Sequence, residues 1–364
     1  MTNMLKIVKT TLIGWGMNPV LACALMFPIP QNGTNIVGNV QVTEVEPGDN
    51  FTTLGRRFDV GYYELVESNP DLNPQAPTVW QEVTIPSKFV LPPGARNGIL
   101  INLPELRLYY FEPSKNRVLT FPVGVGRQGW GTPVCFTSIV GKTKDPTWHV
   151  PESIRVARAE EGVELPKTVA PGPDNPLGDY SMRLAVEGGT YLVHGTNDPS
   201  GVGRRSSSGC IRMFPEDIEE LFSLTKVGTP VQIVNEPLKT GWDGQHLYLE
   251  AHVPLETENK TVPASTKSMV ELVSQAAKKY HVGVDWDKAR EVAEEQNGIP
   301  TIISTNSIKD VGAATEDEPN HPQVIEGSRP VSAAKTVADS TDVSGDPSGD
   351  DDESLNEAMT PAED

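Results

Sequence analysis

Two residues 16 positions apart carry the strongest chemical signal in the sequence, the thiol of Cys210 and the imidazole of His194. A free thiol titrates near pH 8.5, so only about 3% of it is thiolate at pH 7, and attack on an amide needs a neighbouring base. His194 ends an apolar run that is typical of a β-strand, and a strand end is a position from which its ring can reach the thiol if the fold brings the two together. The pair predicts a cysteine nucleophile with a histidine base.

The residues on either side of Cys210 predict a site for anions. Gly209 lets the backbone turn and approach a ligand closely, so that the amides of Gly209 and Cys210 can point at a developing oxyanion. Arg212 lies two positions beyond the thiol, and in an extended chain both side chains share one face, where the guanidinium can bind a carboxylate. A lone Gly-Cys pair would be uninformative, because a cysteine in a β-rich core usually serves packing. Its combination with His194 and Arg212 favours catalysis.

The run from Ser207 to Arg212 resembles the signature of L,D-transpeptidase catalytic domains, which is His-Gly, a gap, and then Ser-His-Gly-Cys followed by an apolar residue and Arg or Asn. The resemblance implies that Cys210 accepts the acyl group, that His194 is the base, and that the Gly195 carbonyl holds the other imidazole nitrogen in place of a triad carboxylate. It also implies a set of substrate-binding residues: Arg212, Ser207, Ser208, Gly209 and Arg205. The similarity extends to three further segments: residues 126–133, 144–148 and 203–205.

Two positions depart from the family pattern. Ser208 stands where the family has a second histidine, and a serine can supply a hydrogen bond but no positive charge. Cys135 follows Thr-Pro where the family commonly has glycine; because no Gly-Cys cradle adjoins it, we expect a buried small apolar side chain rather than a second nucleophile. Arg204 and Arg205 are either solvated charges or face the substrate, and Arg205 matches the family arginine better.

Residues 41–92 resemble a LysM domain, a small βααβ module that binds the glycan strands of peptidoglycan. The matching segments are the opening at 46–51, Gly61-Tyr62 between the helices, the turn at 67–70 and the closing strand. The alternative is that these are only the turn and cap residues of some other small α/β domain.

The remaining folded sequence is predicted to be mainly β. Residues 97–235 form the catalytic domain, for which the resemblance implies a β-sandwich-like fold, with a hairpin of 99–102 and 106–111. Residues 141–178 are rich in proline and poor in apolar runs, which predicts a long loop or flap. Residues 236–310 resemble the C-terminal extension of enteric envelope transpeptidases and predict a small docked α/β unit.

The two ends of the chain differ from its centre. In residues 1–30, two lysines precede a short apolar stretch, which is the layout of a secretory signal peptide or a membrane anchor. Ala22-Cys23-Ala24 has the small-residue pattern of ordinary cleavage, residues 20–23 loosely resemble a lipoprotein processing box, and a start codon placed too far upstream is the third alternative. Residues 311–364 hold 14 acidic against 2 basic residues and too few apolar ones to fold, so we predict a disordered acidic tail.

Composition narrows the classes of function. The formal net charge of −19 comes mainly from the tail, and no basic stripe supports binding of nucleic acid. The three cysteines, Cys23, Cys135 and Cys210, are too few for a disulfide framework and fit no zinc site. We therefore predict no metal and no organic cofactor.

The resemblance implies attack by Cys210 on the amide between diaminopimelate and D-alanine in a peptidoglycan tetrapeptide stem. The thioester then passes to an amine, either a second diaminopimelate, which gives a 3→3 crosslink, or the terminal lysine of an anchored envelope protein, which the domain order favours. A hydrolytic carboxypeptidase or endopeptidase and a non-enzymatic wall-binding protein are the alternatives. We expect a periplasmic or envelope location, with peptidoglycan as the partner.

Overall fold

The computed structural model describes residues 24–187, 190–257, 260–261 and 266–305. The predicted acidic tail and the first 23 residues of the predicted leader lie outside them. Strand β1, Leu25–Pro28, lies inside the range of 1–30 predicted as the leader, and it pairs with β8 (Arg117–Pro122) of the main sheet. No helix in the described ranges is both long and apolar enough to span a bilayer.

In the N-terminal unit, β3, α1, α2 and β4 have the strand–helix–helix–strand order expected for residues 41–92, and a second strand pair, β2 with β5, adjoins them. Helix α1 begins at a capping box, in which the Asn50 side chain accepts from the Thr53 N–H and the Thr53 hydroxyl accepts from the Asn50 N–H. Its core includes the fully buried Phe51 and Leu65. The elements are β2 (Ile36–Gly38), β3 (Gln41–Glu44), α1 (Phe51–Phe58), α2 (Tyr62–Ser68), β4 (Glu82–Ile85) and β5 (Lys88–Val90).

The catalytic unit is mainly β, as predicted, and it contains the expected hairpin, formed by β6 and β7. Its elements are β6 (Gly98–Asn102), β7 (Arg107–Glu112), β8 (Arg117–Pro122), β9 (Val125–Gly126), β10 (Cys135–Lys144), β11 (Trp148–His149), α3 (Glu152–Glu160), β12 (Thr168–Val169), β13 (Tyr180–Leu184), β14 (Leu192–His194), β15 (Arg205–Ser207), β16 (Ile211–Arg212), α4 (Pro215–Leu224) and β17 (Pro230–Val234).

Nine strands form one curled sheet in the order β1-β8-β7-β6-β17-β10-β13-β14-β16. Strand β10 is where the sheet curls, because its first residues pair with β17 and its later residues pair with β13, and the register shifts between Ile139 and Gly141. Apolar side chains from both halves meet in one core, which includes Ile101, Met182 and Ile211. The active-site strands β14 and β16 lie at one edge of this sheet.

The segment 141–178 is not the long loop that its composition predicted. Strand β10 continues to Lys144, β11 and β12 form a short antiparallel pair, and α3 spans Glu152–Glu160. No side chain of α3 is buried, so the helix has no apolar stripe from which it could be recognised.

The C-terminal unit is small and α/β, with a core that includes Leu249, Val273, Val292 and Ile303. Trp242 stacks on Tyr280 with ring centroids 4.5 Å apart. The elements are β18 (Leu238–Trp242), β19 (Leu247–Ala251), β20 (Glu256–Thr257), β21 (Lys260–Thr261), α5 (Thr266–Tyr280), β22 (Gly283–Val284), α6 (Trp286–Glu295), β23 (Thr301–Ile302) and β24 (Ser304–Thr305).

A buried ionic cluster joins all three units. The ammonium of Lys239 lies 2.8 Å from Glu105 Oε1 and 2.6 Å from Glu250 Oε1, and it donates to the Val90 carbonyl at 2.7 Å. His252 Nε2 lies 2.6 Å from the same Glu250 oxygen. Glu105, Glu250 and His252 have the spacing of a metal site, but the lysine ammonium already supplies a positive charge between the two carboxylates.

The N-terminal unit is also held to the catalytic unit by buried charge. The guanidinium of Arg107 on β7 binds both carboxylate oxygens of Glu64 on α2 at 2.8 Å, and both side chains are almost fully buried. Breaking a buried pair by removing one partner typically costs about 3–5 kcal/mol. The N-terminal and catalytic units are therefore packed together as one folded body, and they are not independent domains joined by a flexible linker.

Candidate active site

The strand register brings the predicted catalytic residues together. Strands β14 and β16 are parallel, with Val193 opposite Ile211 and His194 opposite Arg212. Val193 and Ile211 are buried in the core, so His194 and Arg212 point to the other face of the sheet. Cys210 directly precedes Ile211 and therefore shares the face of His194 and Arg212. The hydrogen bond from the Met213 N–H to the His194 carbonyl, at 2.9 Å, fixes the pairing one residue further on.

His194 has one defined tautomer. Its Nδ1 lies 2.6 Å from the Gly195 carbonyl oxygen, which can only accept, so Nδ1 carries the proton and Nε2 has the free lone pair. Burial and the positive charge of Arg212 lower the pKa of His194 to about 4 despite this hydrogen bond. The imidazole is therefore neutral at pH 7 and able to accept a proton.

Cys210 is a half-buried free thiol, with Sγ 3.8 Å from the Thr190 carbonyl. Burial raises the pKa of the Cys210 thiol, while a hydrogen bond with the Leu192 backbone and the charge of Arg212 act in the opposite direction. Thiol and imidazole are thus both neutral at rest, and the proton must move as the sulfur attacks.

The loop before Cys210 is held by its own hydrogen bonds. The Ser207 hydroxyl donates to the Cys210 carbonyl at 2.5 Å and accepts from the Gly209 N–H at 3.2 Å. Ser207 therefore shapes the loop, and the Gly209 amide, which the sequence suggested as an oxyanion donor, already has a partner. Ser208 lies half-buried between them. Gly209 has φ 99°, a conformation that favours glycine.

A second segment, which the resemblance singled out without a role, supports this loop. The Thr132 hydroxyl donates to the Gly209 carbonyl at 3.0 Å and accepts from the Gly126 N–H at 3.1 Å. The Arg127 N–H donates to the Ser207 carbonyl at 2.9 Å. Residues 126–132 therefore act as a backing for the cysteine loop.

Arg212 lies beside Cys210 on the face of the sheet that carries His194. Its guanidinium packs on Gly201 so closely that a Cβ on Gly201 would come within 2.1 Å of Nη1. Its Nε is buried with no hydrogen-bond partner among the described residues, and the negative charge of Asp198 lies nearby. An arginine with donors to spare beside the thiol has the geometry of a carboxylate clamp.

Arg205 contacts the C-terminal unit. Its guanidinium donates to the Val253 carbonyl at 2.8 Å and to the Pro254 carbonyl at 3.5 Å, so it ties β15 to that unit, and its role in substrate binding stays a prediction. Arg204 is not a solvated charge either, because it stacks on Tyr62 of the N-terminal unit with its guanidinium carbon 3.3 Å from the ring centroid.

Cys135 packs against the main core, and burial raises the pKa of its thiol. It lies on β10 opposite Ile233, away from the β14–β16 edge that carries Cys210. This position agrees with the packing role expected for Cys135.

Known proteins are similar in sequence to this chain over most of its length. The family model described as YkuD, L,D-transpeptidase catalytic domain, matches residues 96–233. The Escherichia coli K12 protein named probable L,D-transpeptidase YcfS is 36% identical over 295 residues, which are 79% of this chain and 91% of that protein. Probable L,D-transpeptidase ErfK/SrfK of the same strain is 35% identical over 292 residues, 78% of this chain and 92% of that protein.

Among solved structures, the catalytic domain of the E. faecium L,D-transpeptidase acylated by ertapenem is 20% identical and covers 39% of this chain and 100% of that chain. Its TM-score of 0.30 is too low to support an argument about fold. The relationship is carried by the sequence instead, because the identity of 36% extends over nine-tenths of a named family member. The chain belongs to the L,D-transpeptidase family.

Proposed function

We propose that this chain is an exported peptidoglycan L,D-transpeptidase whose nucleophile is Cys210. The observation that carries the proposal is the parallel register of β14 and β16, which sets Cys210, His194 and Arg212 on one face. Arg212 binds a carboxylate of the tetrapeptide stem, and the Cys210 sulfur attacks the carbonyl between diaminopimelate and D-alanine.

His194 carries the proton from the Cys210 thiol to the leaving amine. As the carbon–sulfur bond forms, the thiol proton moves to His194 Nε2, and the oxyanion is stabilised by backbone amides that include the Cys210 N–H. When the C–N bond breaks, His194 returns the proton to the departing D-alanine amine, which leaves a thioester on Cys210. An acceptor amine then attacks the thioester, gives its proton to His194, and restores the thiol.

The order of units favours a lysine of an anchored envelope protein as the acceptor amine, with the diaminopimelate of a second stem as the other amine. The N-terminal unit serves as a LysM domain that binds glycan strands. Its βααβ order supports this role, and so does Trp80, which is 67% exposed and held at φ 69° in a loop between α2 and β4. A bulky residue held in a strained conformation at the surface is typical of a ligand contact.

The nucleophile is tested by intact-mass measurement after incubation with a carbapenem, a class that acylates the cysteine of the enzymes this chain resembles. We expect one adduct on the wild-type chain and on Cys135→Ala, and none on Cys210→Ala. Cys135 is the matched control because it is the other cysteine in the described residues and packs against the core. An adduct that survives Cys210→Ala refutes the assignment.

The acceptor is tested separately with purified muropeptides. With an added amine acceptor, a transpeptidase gives the amide product and free D-alanine. Hydrolysis products that are unchanged by the acceptor would assign the chain to the hydrolytic alternative.

A further inference from the structure

The first described residues of the chain enter an acidic, buried environment. The Leu25 N–H donates to Asp59 Oδ2 at 2.9 Å, and the Ala24 N–H donates to Glu220 Oε2 at 3.3 Å. The carboxyl group of Asp59 also lies close enough to that of Asp217 on α4 for the two groups to interact electrostatically. Two backbone nitrogens at the start of β1 thus donate to two carboxyl groups, and a third, that of Asp217, lies beside Asp59.

The Asp59–Asp217 pair lacks a counterion of its own. Both residues are 2% exposed, and Asp59 Oδ1 and Asp217 Oδ2 have no hydrogen-bond partner in the described part of the chain. Burial raises the pKa of Asp59 to about 7, although the charge of Arg107 lowers it, and it raises the pKa of Asp217 further. A buried carboxylate is costly to keep charged, so these groups either take up protons or need a cation beside them.

The nearby cations are used elsewhere. Arg56 binds both carboxylate oxygens of Glu216, at 2.7 and 2.9 Å. Arg107 binds Glu64 and reaches Asp59 only at its backbone carbonyl, at 3.1 Å. Among the described residues, no lysine or arginine donates to the side chain of Asp59 or of Asp217.

We propose that an export peptidase cuts the bond between Ala24 and Leu25, and that the α-ammonium of the new N-terminal residue, Leu25, is the counterion of Asp59 and Asp217. The proposal rests on the proposed export of the chain. Ala22 and Ala24 place small residues at the third and first positions before this bond, after a basic start and an apolar run. In the hydrolysis, water gives its hydroxyl to the Ala24 carbonyl carbon and a proton to the Leu25 nitrogen.

A positive charge on the Leu25 nitrogen would fit the position that this nitrogen already has beside Asp59. The amide nitrogen of Leu25 has one N–H, which is already directed at Asp59 Oδ2. A free α-amino group titrates near pH 7.7–8.0, so it is mainly protonated at pH 7, and as an ammonium it has three donors. These can serve the unpartnered oxygens of Asp59 and Asp217, with Glu220 close by. Cleavage removes the buried methyl group of Ala24, and the ion pair replaces that contact.

The consequence is that processing strengthens the folded protein. Strand β1 pairs with β8 of the catalytic sheet, and its Leu25 N–H donates to Asp59 at the end of α1, so an ion pair at Leu25 holds the N-terminal unit against the catalytic unit. The uncut precursor has the same residues but lacks the cation.

The first test is the mass of the protein exported from cells that express the full chain. We expect a mature chain that begins at Leu25. A mature chain that begins at Cys23, with or without lipid, or one that keeps residues 1–24, overturns the proposal.

The second test measures the counterion without any assay of activity, so that its failure is distinct from failure of the proposed function. Two chains are prepared with a removable tag, one beginning at Leu25 and the other with Ala24 and an acetylated N-terminus. We expect the melting temperature of the first to be higher by about 3–8 °C. In the Asp217→Asn background the difference should shrink to a degree or two, because the carboxylate is gone. Equal melting temperatures in the wild-type background, or a difference that Asp217→Asn leaves unchanged, refute the role of the ammonium.

Discussion

The proposed binding of a substrate carboxylate by Arg212 can be tested directly with kinetics. If its guanidinium binds a carboxylate of the stem, Arg212→Ala should lose kcat/KM for peptide by roughly 10- to 150-fold, the equivalent of about 1.5–3 kcal/mol for a charge-assisted hydrogen bond. Alkylation of the thiol by a neutral reagent should fall much less, because Arg212 is only the smallest of the influences on the pKa of the Cys210 thiol. Arg212→Lys should rescue part of the loss, because it restores the charge but not the fork.

The competing view is that Arg212 only supports the cysteine loop. The close contact between its guanidinium and Gly201 makes this view reasonable. Under it, peptide turnover, alkylation and melting temperature fall together in Arg212→Ala, and that pattern would exclude the clamp.

The neutral pair of His194 and Cys210 predicts a distinctive pH profile. Because burial and Arg212 lower the pKa of His194 to about 4, kcat/KM should hold its plateau below pH 6 and fall only as the pH approaches that value. Because the thiol pKa is raised, alkylation of Cys210 by iodoacetamide should be slow at pH 7 and rise about tenfold per pH unit towards pH 9.

The free energy of unfolding should also fall as the pH is lowered. The folded pKa of His194 is below its unfolded value, so the unfolded state takes up the proton first, and this residue costs the fold stability as the pH falls from about 6.5 towards 4. An acid limb of kcat/KM centred near 6.5, or rapid alkylation at pH 6, would instead indicate a thiolate–imidazolium pair.

Among the elements, the contact between the loop before β15 and the start of α2 sets how the N-terminal unit meets the active site. Gly203 has φ 71°, and a Cβ there would lie 2.2 Å from the Tyr62 backbone nitrogen. Gly203→Ala should therefore lower the free energy of unfolding by about 3 kcal/mol or more and reduce peptide turnover, since the same loop leads into Ser207.

Gly129→Ala is the matched control for this change. Gly129 has φ 76° but nothing within 4 Å of an added Cβ, so it isolates the cost of the left-handed backbone, about 1–2 kcal/mol. If urea unfolding gives equal losses for the two variants, close packing at Gly203 does not hold the units together.

The elements also show where sequence patterns stop being informative. The hairpin of β6 and β7 was predictable because alternating apolar residues and a short turn are local signals. Helix α3 was not, because it buries none of its side chains. The role of Arg205 depends on carbonyls 48 and 49 residues further along the chain, and no spacing rule predicts such a contact.

At the scale of the whole molecule, the proposed wall binding is tested through Trp80. Trp80→Ala should weaken co-sedimentation with purified peptidoglycan about 2- to 12-fold, as expected for loss of an aromatic stacking contact worth about 0.5–1.5 kcal/mol. Acylation by a small carbapenem should be unchanged. Trp286→Ala is the control, because Trp286 is also exposed, at 39%, but lies on α6 of the C-terminal unit. Equal pelleting of both variants would refute the glycan contact at Trp80.

The placement of Cys210 beside the strand that ends at His194 was predictable from the sequence, because a short motif holds both residues, and their catalytic roles stay predictions. The way the units join was not predictable. Glu64 and Arg107 are charged residues that sequence reasoning places at the surface, yet they meet in a buried pair 43 positions apart. Such pairs depend on the packing of distant segments.

The ionic cluster around Lys239 bears on how this architecture can change in evolution. Val90 of the N-terminal unit, Glu105 of the catalytic unit and Glu250 of the C-terminal unit all contact one ammonium group. A gene fusion that exchanged the C-terminal unit for one without this lysine would leave the buried carboxylate of Glu105 without its cation. Recombination that preserves this cluster must therefore keep Glu105 together with the segment that holds Lys239 and Glu250.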